Sequence, residues 1–400
     1  MWPVAGLLSI GEAQQLILAH ARALPAEPVA IEAASGRVLA EGARAAVDLP
    51  PFPSSAMDGF AVRAADTPGR LPVVARIPAG APAAAPLEPG QAMGIATGGV
   101  VPDGADAVIP VEYVVENDNA IETQRAVETG DHVRPRGGDI RAGEVVAEAG
   151  TTLTPARLGA VAGAGVAEVL CARRPRAAVV PTGTELRRPG EALGPGQIYE
   201  SNGLILTAQL TVAGADVVVD PAVGDDEEAH RLALERALEN DLVVTSGGVS
   251  VGPHDLVRRV EAELGVEEVF WRVAVKPGKP IAFGVRDGTL VFGLPGNPVS
   301  ALVGFELFVA PAVRALLGVP DPLPSFERGR LAGARRRNTE RDELLRARVR
   351  RSEDGAVLEP LTGQESHMIA RAAAADALVL APRGDGELAA GSSVSYLPLR

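Results

Sequence analysis

Residues 241–255 read DLVVTSGGVSVGPHD, the order of a buried strand, a glycine loop and the start of a helix. Leu242, Val243 and Val244 break abruptly into Thr245, Ser246, Gly247 and Gly248, and an amphipathic segment follows from His254. Paired glycines let backbone N–H groups turn toward a ligand, Ser246 and Ser250 add hydroxyls, and the positive end of the following helix favours an anion. Asp255 would stand close to that anion. A carboxylate beside an anion is repulsive without a cation between them, so this position points to Mg²⁺ or to proton transfer. The same residues would serve equally as an ordinary strand-to-helix turn with Asp255 as a cap, because glycine loops are common.

Outward from this stretch the pattern repeats between Pro175 and Gly318. AAVV precedes PTGTEL, and a helix is expected from near Ser201 to Gly214. DVVVDPAV precedes the Gly224–Asp225 pair and a helix EEAHRLALERAL. VFWRVAV, PIAFGV and TLVFG read as further strands, and LPGNP leads into a last helix from Val299 to Leu317. Alternating strands and helices with short links predict a parallel sheet with right-handed crossovers. PTGTEL, Gly224–Asp225, TSGGVSVG, KPGKP and LPGNP all follow apolar strands, and open α/β sheets bind ligands at the carboxyl ends of their strands. Several polar glycine loops on one sheet edge make a stronger signal than any one of them.

The bulk numbers bound the rest. A chain of 400 residues is expected to hold two to four domains. With 46% hydrophobic but only 3% aromatic residues, its cores must be built from Ala, Val and Leu. No apolar run is long enough for a membrane span, since Glu306 and Pro311 interrupt the stretch from Val299 to Leu317. No signal peptide is apparent, so a cytoplasmic protein is expected. Cys171 is the single cysteine, which excludes an intrachain disulfide and a CxxC metal site. A net charge of −13 argues against nucleic acid as a partner. Of the 38 basic residues only Lys276 and Lys279 are lysine, and both lie in KPGKP. A chain that elsewhere uses Arg keeps Lys where a compact, movable charge suits a phosphate or oxyanion.

The flanks differ in texture. Ser9 and Glu12 form a capping box for a helix to about Ala23, with Ile10, Ala13, Leu16, Ile17 and His20 on one face. A strand and short turn are expected from Val29 to Leu39. From Val47, DLPPFPSSAMDGFAV is a rigid extended entry into a Gly- and Pro-rich block, read as a small β-rich inserted domain. It carries Asp58, Thr97 in ATGGVVPDGADAVIP, and Arg134, Arg136 and Asp139 around the glycine pair of VRPRGGDI. The chain returns through a short helix after Thr154, with Pro155 first. Beyond Pro320, two strand pairs suggest a small closed or sandwich-like β domain. Ser366, before a helix between these pairs, is an N-cap candidate first and a ligand contact second.

PPFPSSAMDGFAV, TGGVVPDGADAV, VRPRGGDI, PTGTEL, SNGLIL, TSGGVSVGPHDL, KPGKP and GLPGNPVSALVGFELFV, with the SH-containing C-terminal segment, resemble in content and order the MoeA-type molybdopterin molybdenumtransferases. The E domain of gephyrin belongs to the same group. The likeness runs from about Ser9 to the C-terminus, whereas MoaB/Mog-type adenylyltransferases share only the α/β block. It implies a multidomain α/β protein of four parts: an N-terminal linker domain of two segments, 1–46 and 140–172; an inserted β-rich domain, 47–139; a MoaB/Mog-like parallel α/β domain, 173–320; and a C-terminal small β-barrel, 321–400. It also implies an elongated homodimer, with its cleft between the α/β domain of one subunit and the N- and C-terminal domains of the other.

The implied reaction inserts molybdate into adenylylated molybdopterin with Mg²⁺-dependent release of AMP. By this resemblance Asp225, Asp255 and Glu185 serve the metal and the nucleotide phosphates, while Lys276 and Lys279 hold phosphate or molybdate oxygens. Gly247, Gly248 and Asn297 would cradle the pterin end, with Thr182, Gly183, Ser246, Ser250, Pro295, Gly296 and Pro298 also binding substrate. Asp58, Asp139, Thr97, Arg134 and Ser366 would face the cleft from the other domains. A molybdopterin adenylyltransferase and molybdoenzyme chaperones are the implied protein partners. Thr184, Pro253 and His254 depart from the family pattern near the metal shell. The alternative is a non-catalytic molybdopterin or molybdate scaffold of the same fold, which would have no need of Asp58, Asp139, Glu185, Asp225 and Asp255. All five are present.

Overall fold

The computed structural model describes residues 7–224, 226–248, 256–353 and 355–399. Contacts divide the chain into two units, one of residues 1–27 and 172–400 and one of residues 28–171.

In the first unit the apolar runs form a six-stranded sheet in the order Asp216–Val219, Arg176–Pro181, Leu242–Ser246, Thr289–Leu294, Ala282–Arg286, Glu267–Trp271. Leu242, Val243 and Val244 are fully buried, as continuous apolar runs are when helices cover both faces of a sheet. Five strands run one way. Ala282–Arg286 alone runs against its neighbours, which amends the expectation of an all-parallel sheet. The cause is local: Asp287 and Gly288, both at positive φ (49° and 91°), make a two-residue hairpin too short for a crossover.

Helices Glu227–Ala237 and Leu256–Glu263 lie side by side, and Asn202–Ala213 packs on the long C-terminal helix of the α/β region. The Asn202–Ala213 helix stops at Gly214, at φ 100°. The capping box of Ser9 and Glu12 is formed, and its helix, Ile10–His20, ends earlier than the sequence suggested. Its buried stripe includes Gln14, which donates from Nε2 to the carbonyl of Leu307 at 2.9 Å. That carbonyl lies in a π-helical stretch, Phe305–Val309, within the helix that runs from Pro298 to Leu316. The helix expected from Val299 to Leu317 thus runs continuously through Glu306 and Pro311. Its 19 residues are long and apolar enough to cross a membrane, yet 78% of the stretch is buried inside the protein, the pattern of a core helix. Partial burial raises the Glu306 carboxyl above its ordinary pKa, against the opposing effect of a hydrogen bond from Gln209.

Beyond this helix a five-stranded barrel closes on itself: Asp342–Ser352, Gly355–Pro360, Glu327–Leu331, Ser393–Pro398, Ala377–Ala381 and back to Asp342–Ser352. Leu331, Leu345, Ala347, Leu358, Val379 and Tyr396 fill it. The second unit holds a half-barrel of six strands, in the order Ala107–Pro110, Gly59–Val62, Ala92–Ile95, Gly69–Ile77, Ala120–Thr123, Val115–Asn117. A separate small core of Val29, Ile31, Leu39, Leu153, Val161 and Cys171 lies in the segments flanking it. Thr154 precedes the helix Pro155–Gly163 with Pro155 at its start, as read from the sequence, although the Thr154 side chain makes no capping bond.

Candidate active site

Strand register builds the site in the first unit. Pro181 pairs with Ser246 and Ser246 with Leu294, so the loops beginning at Thr182, Gly247 and Pro295 leave one sheet edge side by side. Thr182 donates to the Ser246 carbonyl from its backbone N–H at 2.9 Å and its hydroxyl at 3.1 Å. Gly247 N–H donates to the Leu294 carbonyl at 3.0 Å. The packing explains both loop glycines. Gly247 and Gly248 have φ of 101° and 64°, and a Cβ would lie 2.6 Å from the Thr182 carbonyl oxygen at the first and 2.5 Å from Val257 at the second.

Asn202, in the first turn of its helix, is buried and bridges these loops. Its Nδ2 donates to Ser246 Oγ at 2.7 Å and to the Gly296 carbonyl at 2.8 Å. Glu185 lies against Gly183, where an added Cβ would come within 2.5 Å of its carboxylate. Gly183 N–H donates to the Val223 carbonyl at 2.9 Å, and Gly224 packs on Thr184, so the segment leading to Asp225 reaches the same edge. Asp226 caps the helix Glu227–Ala237 by accepting from Ala229 N–H, and is committed to that role. Asn297 occupies the cap position before Pro298 without a side-chain cap bond, leaving its exposed amide available to a ligand.

KPGKP joins the edge from the end of Glu267–Trp271. Gly278 approaches the carbonyl of Ser300, and Val299 N–H donates to the Ser366 carbonyl at 3.1 Å. Thus KPGKP and the Ser366 loop meet at the first turn of the helix after LPGNP. Ser366 is not the helix N-cap expected from the sequence. The helix there is Ile369–Ala372, preceded by Met368, and the Ser366 backbone serves the other helix. Lys276 Nζ lies 3.1 Å from Glu343 Oε1 of the barrel, while Lys279 has no ion pair among the described residues. Arg346, on the same barrel strand, is 1% exposed and donates to the Gly363 carbonyl, bracing with Gln364 the turn that carries Ser366. Burial lowers its pKa from the ordinary guanidinium value. The sequence reading missed Asn202, Glu343 and Arg346. The signal for Arg346 was a basic residue inside the apolar run LLRA.

The second unit forms a cluster of its own. Ser54–Ser55 pairs with Val133–Arg134, Ser55 exchanges backbone bonds with Gly98 and Gly99, and Asp139 N–H donates to the Leu49 carbonyl. These pairings bring together the three segments holding Asp58, Thr97 and Arg134 with Asp139. Asp58 Oδ1 accepts from Thr97 N–H at 2.7 Å and from its hydroxyl at 3.0 Å, which lowers the carboxyl pKa below its ordinary value. Arg136 is tied to Asp48 at 2.6 Å.

Asp225, Ser250 and Asp255 lie outside the described residues. Among the described residues no group of three or more His, Cys, Asp or Glu gathers to hold a metal. Glu185 is the described member of the expected set.

Comparison with known proteins covers nearly all of the chain. Residues 8–165 match the model described as MoeA N-terminal region (domain I and II). Residues 178–315 match a probable molybdopterin binding domain, and 328–399 match MoeA C-terminal region (domain IV). Molybdopterin molybdenumtransferase 2 of Mycobacterium tuberculosis is 38% identical over 98% of this chain and 99% of its own length. A molybdopterin molybdenumtransferase of Staphylococcus aureus is 30% identical over 98% and 95%. A crystal structure of a molybdopterin biosynthesis MoeA protein from Pyrococcus horikoshii superposes with TM-score 0.84 at 28% identity, covering 98% of this chain and 100% of that one.

Proposed function

The chain belongs to the MoeA family of molybdopterin molybdenumtransferases, and on that premise we propose that it inserts molybdate into adenylylated molybdopterin with Mg²⁺-dependent release of AMP. The observation that carries the reading is the convergence of the Thr182, Gly247 and Pro295 loops, with KPGKP and Ser366, at one sheet edge. The two lysines and the exposed Asn297 amide suit an anionic substrate, although the whole chain is acidic and the Thr182, Gly183 and Gly247 N–H groups donate to backbone carbonyls.

In this proposal Gly247, Gly248 and Asn297 cradle the pterin end of the substrate, and Thr182, Gly183, Ser246, Ser250, Pro295, Gly296, Pro298 and Ser366 are further substrate contacts. Lys276 and Lys279 hold oxyanion oxygens, on molybdate or on the phosphate. Glu185, Asp225 and Asp255 offer hard carboxylate oxygens of the kind Mg²⁺ takes, and would hold it. When bound, the ion would neutralise charge on the leaving AMP phosphate. Asp58 with Thr97, and Arg134 with Asp139, contribute to the same reaction. We further infer a cytoplasmic homodimer, detectable by sedimentation, that receives its substrate from a molybdopterin adenylyltransferase and passes its product to molybdoenzyme chaperones.

The test is AMP release from adenylylated molybdopterin. Release should require both molybdate and Mg²⁺; release at the same rate without molybdate would overturn the proposal.

A further inference from the structure

Lys276 and Glu343 come from different parts of the first unit. The lysine ends the short strand Val275–Lys276, and the glutamate is the second residue of the barrel strand Asp342–Ser352. The two strands pair in parallel with Lys276 opposite Glu343, and Asp342 N–H donates to the Ala274 carbonyl at 2.9 Å. The barrel strand is held on its far side by Ala377–Ala381, with Glu343 opposite Ala381. The Glu343 side chain is only 7% exposed, whereas that of Lys276 is 41% exposed. The ammonium thus sits between a buried, backbone-fixed carboxylate and open space.

Resting on the molybdenumtransferase reading above, we propose that Glu343 is a positioning residue for Lys276. It engages one of the three ammonium N–H groups and leaves the other two for an oxyanion oxygen, so Lys276 acts as an oriented donor and not as a loose positive charge. A lysine stem is flexible, and a fixed partner removes that freedom before the substrate arrives. Two observations separate this role from that of a structural staple. Backbone pairing already joins the two strands without the side chains. An arginine would grip a buried carboxylate with two parallel N–H bonds, and this chain uses arginine for every basic residue outside KPGKP. A lysine here gives up that grip and keeps spare donors.

The test uses the full-length protein with adenylylated molybdopterin, saturating molybdate and Mg²⁺. Glu343→Gln should lower kcat about tenfold or more, as loss of a fixed geometry does, with KM for the anionic substrate unchanged or lower because a negative charge has left the site. Lys276→Met should also lower kcat, and Glu343→Gln added to it should cause no further loss. A wild-type kcat in Glu343→Gln, or the same fold loss in the Lys276→Met background, would overturn the proposal. If Glu343→Gln does not fold, Lys276→Arg keeps a cation on Glu343 and should still lose kcat; an unchanged rate in that variant would overturn it equally. Absence of molybdate-dependent AMP release by the wild-type protein would instead be a failure of the functional reading.

Discussion

The Asn202 amide donates to both the Ser246 hydroxyl and the Gly296 carbonyl, so one buried side chain ties together two neighbouring loops. Its orientation is settled by chemistry, because a carbonyl oxygen can only accept. Asn202→Ala leaves the buried Ser246 hydroxyl and the partly buried Gly296 carbonyl without this donor, at a cost of about 1–3 kcal/mol. A lowered melting temperature and a rise in KM are expected, read by thermal unfolding and steady-state AMP release. A variant matching wild type in both would refute the role.

Gly247→Ala should be worse than an ordinary glycine-to-alanine change. Its left-handed backbone costs an alanine about 1–2 kcal/mol, and the new Cβ meets the Thr182 carbonyl oxygen at 2.6 Å. Either the Thr182 loop or the Gly247 loop must shift. Circular dichroism should show a folded protein with AMP release down by an order of magnitude or more, a shift of about 1 Å being enough for such a loss.

Thr97→Val removes one of the two donors to Asp58 and keeps the backbone one. The Asp58 pKa is depressed in the folded protein, so the carboxylate contributes stability above the ordinary carboxyl range and loses it as pH falls through the lower folded value. The variant should move that titration upward, toward the ordinary Asp range. Carboxyl ¹³C chemical shifts against pH would report it, and an unmoved midpoint would mean the hydroxyl bond does not hold the charge.

Glu185→Gln and Asp255→Asn should each preserve the fold while losing most turnover, with more Mg²⁺ needed for what remains. A Mg²⁺ titration of AMP release distinguishes the two carboxylates: a variant with an unchanged rate and half-saturation does not serve the metal.

The sheet edge was legible because each apolar run there ends in a polar glycine loop, and Pro181, Ser246 and Leu294 are in register. The reversal of Ala282–Arg286 was legible in principle, since Asp287–Gly288 is a hairpin signal, but the repeating strand–helix pattern around it outweighed two residues. The partners Lys276–Glu343 and Asn202–Gly296 were not legible. Each is set by the long-range placement of elements, two strands in the first pair and a helix against a loop in the second, to which no local spacing points. Ser366 was misjudged for a related reason: cap propensity is a local argument, and here the serine backbone answers to a helix formed much earlier in the chain.

The bond from Gln14 to Leu307 carries a consequence for the order in which the chain is made. The helix Ile10–His20 leaves the ribosome early, yet the carbonyl its glutamine serves is synthesised 293 residues later. Contacts of such sequence separation form slowly, and segments awaiting them stay exposed. The first helix should therefore be among the last to settle. Stalled nascent chains ending before Phe305 should be cut by protease within Ile10–His20, while released full-length protein resists; equal protection in both would show that the helix docks without its late partner.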